Sequence, residues 1–252
     1  GVVIVSERHW AFAGVDGSLR EGTMPAGSDR LARVPLLRGL ARLAASLDQA
    51  ESALDEMASL YESLGLEPRR VPTVPAQLAD HPGFSPPLIP YEGRDNVVAV
   101  HRPGGAAKGR SLTLQGHVDV VPEGAADMWE TPPFEPSVRG GRMYGRGAGD
   151  MKAGDVAYCM AFKAFRMAGL QPAAEVQMHS VIEEECTGNG ALACMLAMPK
   201  TDAVVIPEPG PGMDALYTAE VGVVWAWVTV SGRPAHVRDM QSGVNAIEAA
   251  YA

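Results

Sequence analysis

Hydrophobic and polar positions fall into runs whose period changes along the chain. Between residues 50 and 64, Ala50, Ala53, Leu54, Met57, Leu60, Tyr61 and Leu64 recur at three- and four-residue steps, which predicts an amphipathic helix. Asp48 can cap its start, and Gly65 suits the position after its last turn. Val97–Val100 and Leu112–Val121 read as β-rich runs separated by a Gly-rich turn around residues 104–109. Lys152–Ala168 is apolar nearly all round and predicts a buried helix, ended at Gly169 and Leu170. Glu175–Ile182 alternates polar and apolar, as a strand does. Ala191–Met198 then predicts a short helix and Ala203–Ile206 a short strand. Strands alternating with helices predict an α/β fold with a mixed, largely parallel sheet flanked by helices.

Two stretches break this rhythm. Residues 68–94 carry Pro68, Pro72, Pro75, Pro82, Pro86, Pro87 and Pro90, which reads as an excursion over the surface and not as an element interior. Residues 1–35 hold a short apolar run with no sustained period. Beyond Pro207–Pro211 the texture shifts to a long Val- and Trp-rich strand, Val221–Val230, and then to a helix opened by Asn245. A domain boundary is placed near residue 215, giving domains 1–215 and 216–252.

Composition narrows the class. A chain of 252 residues, 46% hydrophobic and 20% charged, is globular. No apolar run approaches the roughly 18–20 residues that span a bilayer, so no membrane partner is expected. Lys+Arg 21 against Asp+Glu 30 gives a net charge of −9, which argues against a nucleic-acid surface. Cys159, Cys186 and Cys194 are too few for a disulfide scaffold and fit a reducing, cytoplasmic setting. The opening Gly-Val-Val-Ile-Val has no basic segment before it, so no signal peptide is expected.

The chemistry gathers in four clusters at the ends of predicted strands, where open α/β sheets place their sites. In Gly116-His117-Val118-Asp119, the two-residue period puts His117 and Asp119 on one face. A carboxylate there can hold one imidazole nitrogen while the other binds a metal; a buried, locally paired His is the bland alternative. Tyr144–Gly154 is glycine-dense and opens the buried helix. A phosphate cradle is a rival reading, but no Walker-type lysine follows, and Asp150 would put negative charge where phosphate sits. A metal ligand or a helix cap suits Asp150 better. Glu183-Glu184-Glu185 follows an apolar strand and precedes a glycine turn, a costly place for three carboxylates unless they are solvated or bind cations. Glu208 stands between Pro207 and Pro209 at the end of a short strand. His179, inside a strand, is expected to pack or face solvent, and Cys186 to be a small buried apolar side chain rather than a nucleophile.

With these four clusters in order from about Asn96, the sequence resembles the M20 metallopeptidase/deacylase family. The likeness is strongest to the acetylornithine deacetylase and succinyl-diaminopimelate desuccinylase group, notably through Glu183-Glu184-Glu185-Cys186-Thr187-Gly188-Asn189-Gly190. The resemblance implies a zinc-hydrolase catalytic domain followed by the start of a small α+β lid or dimerisation domain. It implies two divalent metal ions, zinc with cobalt or manganese as alternatives, about 3.5–4 Å apart. His117 and Glu208 would bind one ion, Asp150 would bridge, Glu185 would bind the second, and Asp119 would orient His117. Glu184 would be the general acid/base, and His236 would reach across a homodimer to stabilise the oxyanion. The implied reaction removes an acyl group from an N-acyl amino acid or related small amide. A dipeptidase or carboxypeptidase is the alternative within the class, and a non-catalytic, truncated metal-binding relative is the alternative outside it. The family's last ligand to the second ion is a later His, and no His follows His236 here. The chain is therefore expected to be cut within the lid, to bind its second metal weakly and to be inactive alone.

Overall fold

The structure is a computed structural model. It describes residues 2–5, 9–13, 19–23, 50–140, 142–210 and 228–251. Near the start, β1 (Val2–Val5), β2 (His9–Ala13) and β3 (Leu19–Thr23) form an antiparallel three-stranded sheet in that order, where the sequence pattern shows no period. The expected cap Asp48 lies outside the described residues.

The elements that position the site begin with α1 (Ala50–Ser63) and β4 (Pro68–Pro72). Next come the one-turn α2 (Pro75–Leu78), β5 (Asp95–His101) and β6 (Leu112–His117). A small hairpin, β7 (Ser137–Arg139) and β8 (Arg142–Tyr144), leads to α3 (Ala153–Met167), β9 (Val176–Val181), α4 (Asn189–Ala197) and β10 (Ala203–Val205). Five of the strands make one mixed sheet in the order β10-β6-β9-β5-β4. The β10-β6 and β6-β9 pairings are parallel; β9-β5 and β5-β4 are antiparallel.

Helices cover both faces. Successive residues of β5 point to opposite sides. Val97 and Ala99 pack with Leu54, Met57 and Tyr61 of α1 and with Cys159 and Phe162 of α3. Val98 packs the other way, with Val71, Val181 and Cys194 of α4. Both long helices stop as their glycines predict. Gly65 has φ +68°, with Leu66 N–H donating to the Tyr61 carbonyl at 3.1 Å. Gly169 has φ +71°, with Leu170 N–H donating to the Phe165 carbonyl at 2.9 Å. These are Schellman closures, which need a left-handed residue.

Two expectations change. Pro68 and Pro72 do not exclude a strand: β4 is the edge of the sheet, and they sit at its two ends. Proline is tolerated at an edge because a missing N–H costs little there. The alternating β9 is not half-exposed either. All six of its residues are buried, because it is central and covered on both faces. Its polar residues are satisfied internally: Gln177 Nε2 donates to the Pro199 carbonyl at 2.9 Å, and Ser180 Oγ lies 2.8 Å from Tyr61 Oη.

The chain divides into two compact units, Gly1–Pro209 and Gly210–Ala252. The expected boundary near residue 215 and most of the expected strand Val221–Val230 lie outside the described residues; Val228–Val230 are not in a strand. In the second unit α5 (Ala246–Ala250) starts at Asn245, whose Oδ1 accepts the Ile247 N–H at 3.0 Å. Arg233 and Val244 pair antiparallel through two 2.9 Å hydrogen bonds.

Candidate metal centre

The three parallel strands end side by side, and their register brings the loops beyond them level with one another. His117 pairs with Val181, and Leu114 with Val205. Three residues on from Val205, Glu208 is level with His117; three on from Val181 is Glu184. A fourth segment, the turn Ala148–Lys152 into α3, brings Asp150, followed by a cis Asp150–Met151 peptide.

His117 is the centre of the assembly and is 1% exposed. Its Nε2 lies 3.2 Å from Asp150 Oδ1, 3.5 Å from Glu208 Oε1 and 3.7 Å from Glu184 Oε2. Its Nδ1–H donates to the Asp119 carbonyl at 3.0 Å, which leaves Nε2 to face the carboxylates. The Asp119 carboxylate stands 3.5 Å from the same Nδ1 and makes its close contacts elsewhere. It accepts the backbone N–H groups of Glu184 (3.3 Å) and Glu185 (3.1 Å), so it holds the acidic turn as well as the ring. Two ligand groups result, His117–Glu184–Glu208 and His117–Asp150–Glu185, each with its donor atoms within 4.8 Å of one another.

The electrostatics are those of a site built for cations. Burial alone would lower the His117 pKa, but Asp119, Glu184 and Glu208 outweigh it and lift it to about 10. Burial raises Glu208 to about 7, with the Asp150 and Glu184 charges adding to the rise and His117 opposing it. Burial and the Asp150 charge also raise Glu185. His117 with the Asp150, Glu185 and Glu208 carboxylates makes an N/O donor set of the kind that takes zinc, cobalt or manganese, with Glu184 beside it.

Several residues around the centre have surroundings that the sequence motifs do not specify. Glu183 is buried with φ +64°; its Oε2 accepts from Tyr91 Oη at 3.0 Å, which turns it away from the ligand groups. Lys152 is 3% exposed, and its Nζ donates to the Val118 carbonyl at 2.8 Å. Burial pushes its pKa down to about 8. Cys186 corrects an expectation: it is exposed, because the turn after Glu185 runs over the surface. His236 belongs to the second unit, exposed, with Nδ1 accepting the Arg238 N–H at 3.2 Å. A cleft of about 650 Å³, lined by Trp129, Glu130, Arg139, Tyr144 and Gly149 among others, adjoins Asp150 in sequence.

The profile of the peptidase family M20/M25/M40 matches residues 113–252, more than half of the chain and all of these clusters. The chain belongs to this family, a group of metal-dependent hydrolases. It is 45% identical over 82 residues to a succinyl-diaminopimelate desuccinylase of Paracidovorax citrulli, covering 32% of this chain and 21% of that one. It is 32% identical over 140 residues to an N-formyl-4-amino-5-aminomethyl-2-methylpyrimidine deformylase of Halalkalibacterium halodurans, covering 56% and 32%. The chain thus spans a third or less of the length of these curated relatives. Among solved structures, human carnosine dipeptidase 1 shares the fold with a TM-score of 0.54 at 22% identity, over 70% of this chain and 38% of that one. An M20 metallo-carboxypeptidase of Sulfolobus solfataricus does so with a TM-score of 0.52 at 20% identity, over 70% and 37%.

Proposed function

We propose that the chain forms the catalytic part of a metal-dependent amide hydrolase removing an acyl group from an N-acyl amino acid or related small amide. The observation that carries this is the single buried His117 Nε2 facing Asp150, Glu184 and Glu208 at 3.2–3.7 Å, each from a different loop. The sequence relatives named as a desuccinylase and a deformylase support an acyl-removing activity over a peptidase.

His117 and Glu208 would hold one divalent ion and Glu185 a second, with Asp150 shared. When bound, such ions polarise an amide carbonyl and let a water lose its proton near neutral pH. Glu184 Oε2 would accept that proton as the water oxygen bonds to the acyl carbon, and would return it to the nitrogen as the C–N bond breaks, so that a carboxylate and an amine are released. Asp119 keeps Glu184 and Glu185 in place through their backbone N–H groups. In a homodimer formed through the second unit, His236 would donate to the developing oxyanion. A cytoplasmic setting belongs to the same reading, supported by three cysteines that form no disulfide. Among the described residues, no helix is long and apolar enough to cross a membrane.

Both ligand groups share His117, so the described residues offer one imidazole to two ions. The chain alone is accordingly proposed to bind one zinc tightly, a second weakly, and to turn over little. Hydrolysis is to be measured on the longest protein that carries this chain, with N-succinyl, N-acetyl and N-formyl amino acids beside dipeptides. Glu184→Gln is expected to lower kcat by about 10²–10⁴-fold with zinc content unchanged. Zinc binding without metal-dependent hydrolysis of any of these substrates would favour the non-catalytic reading.

A further inference from the structure

On the opposite face of β6 from the His117 ring lies a polar cluster that the reaction above does not use. Asp155, in the first turn of α3, is 0% exposed. Its Oδ1 accepts from Tyr158 Oη at 2.7 Å, and its Oδ2 has no hydrogen-bond partner among the described residues. Tyr158 Oη lies 2.7 Å from Tyr61 Oη and 3.1 Å from Ser180 Oγ. The cluster therefore joins α3, α1 and β9. It also touches β6, because a Cβ placed on Gly116 would collide with the Asp155 carboxylate. Gly116 immediately precedes His117 and pairs with Ser180 across the sheet.

A fully buried carboxylate served only by the Tyr158 and Ser180 hydroxyls destabilises a fold, and an apolar residue of similar size would pack there at less cost. Such a group beside a site is a candidate for function. Its surroundings are mixed: Tyr158 and Cys159 of α3, Tyr61 of α1 and Ser180 of β9 are neutral, while Lys152 and His117 supply positive charge. Burial pushes the Asp155 pKa up to about 7; the Tyr158 hydrogen bond and the His117 and Lys152 charges hold it from rising further.

We propose that Asp155 is a positioning residue of the metal centre: wedged against Gly116 and keyed to β9 through Tyr158 and Ser180, it sets the end of β6 that presents His117, and its charge favours a dication there. Across a low-dielectric interior that charge is felt more strongly than it would be through water. The inference rests on the metal-centre reading above.

The test is zinc titration of the full chain by calorimetry between pH 5.5 and 9, with folding of each variant checked by thermal melting. Asp155→Asn keeps the shape and removes the charge. It should weaken zinc binding on the order of tenfold at pH 8, and the ratio to wild type should shrink toward one at pH 5.5. Tyr158→Phe removes the hydrogen bond that favours the ionised carboxylate and carries the test if Asp155→Asn does not fold. Its deficit should peak near neutral pH and close by pH 9. Equal affinity in wild type and both variants at every pH would overturn the proposal. So would a deficit that does not vary with pH, since packing damage alone gives that. Absence of zinc binding by the wild type would overturn the metal-centre reading together with this one.

Discussion

At His179 burial decides the protonation state. The ring lies in β9, 4% exposed, with its Nε2 against Gln177 Oε1 at 3.0 Å. Burial and the Arg69 charge lower its pKa to about 4, against 6.5 when unperturbed. A folded pKa below the unfolded one means the contribution is complete above pH 6.5 and is lost as pH falls through 4. A shift of this size corresponds to about 3 kcal/mol at most. Urea unfolding at pH 7 and at pH 4.5 should therefore show a loss of stability that is smaller in His179→Gln. Parallel losses in the two proteins would mean that this ring does not set the acid limb. His179 was legible only as a packing or surface residue, because nothing in an alternating strand says that both faces are covered. The four clusters of the candidate metal centre were legible only in combination: His117 alone reads as a buried, locally paired residue and Asp150 as a helix cap, whereas four acid and histidine groups in order at strand ends point to one site. Asp155 and Lys152 were not legible, since both are embedded in a run apolar enough to read as core.

At the level of elements, period served well where one face was buried and poorly where tertiary position mattered. α1 and α3 and their glycine closures follow directly from the spacing of Leu54, Met57, Tyr61 and Gly65 and from Gly169. β4 was hidden by its prolines, because edge status is a property of the sheet and not of the strand. Asn96 ties these pieces together. Fully buried, it donates from Nδ2 to the Val71 carbonyl and to Thr73 Oγ1, both at 2.9 Å, and its Oδ1 accepts the Ile182 N–H at 3.1 Å. Gly190, in the first turn of α4, fits closely against that Asn96 amide and the Ile182 carbonyl, and a Cβ there would clash with both. Gly190→Ala is expected to cost about 1–3 kcal/mol in urea denaturation and to weaken zinc binding, because Ile182 leads into Glu183–Glu185. An unchanged midpoint would show that α4 can move away without disturbing the acidic turn.

Across the whole molecule, charge and topology converge on one place. The net charge of −9 is partly accounted for by carboxylates gathered where three parallel strands end. The site is made of four separate stretches, around residues 117–119, 150, 184–185 and 208, held together by little backbone pairing of their own. The strands behind them are paired, and the central β9 is fully buried, whereas the Asp150, Glu184 and Glu208 side chains are 56%, 47% and 37% exposed. Segments of that kind open locally at low free energy, independently of the sheet. Ions held across these stretches would make their opening a shared event, so occupancy is readable as time. Amide hydrogens in the four loops should exchange with deuterium at separate, fast rates without zinc, and slow together once it is added, while those of β5 and β9 stay as slow as before.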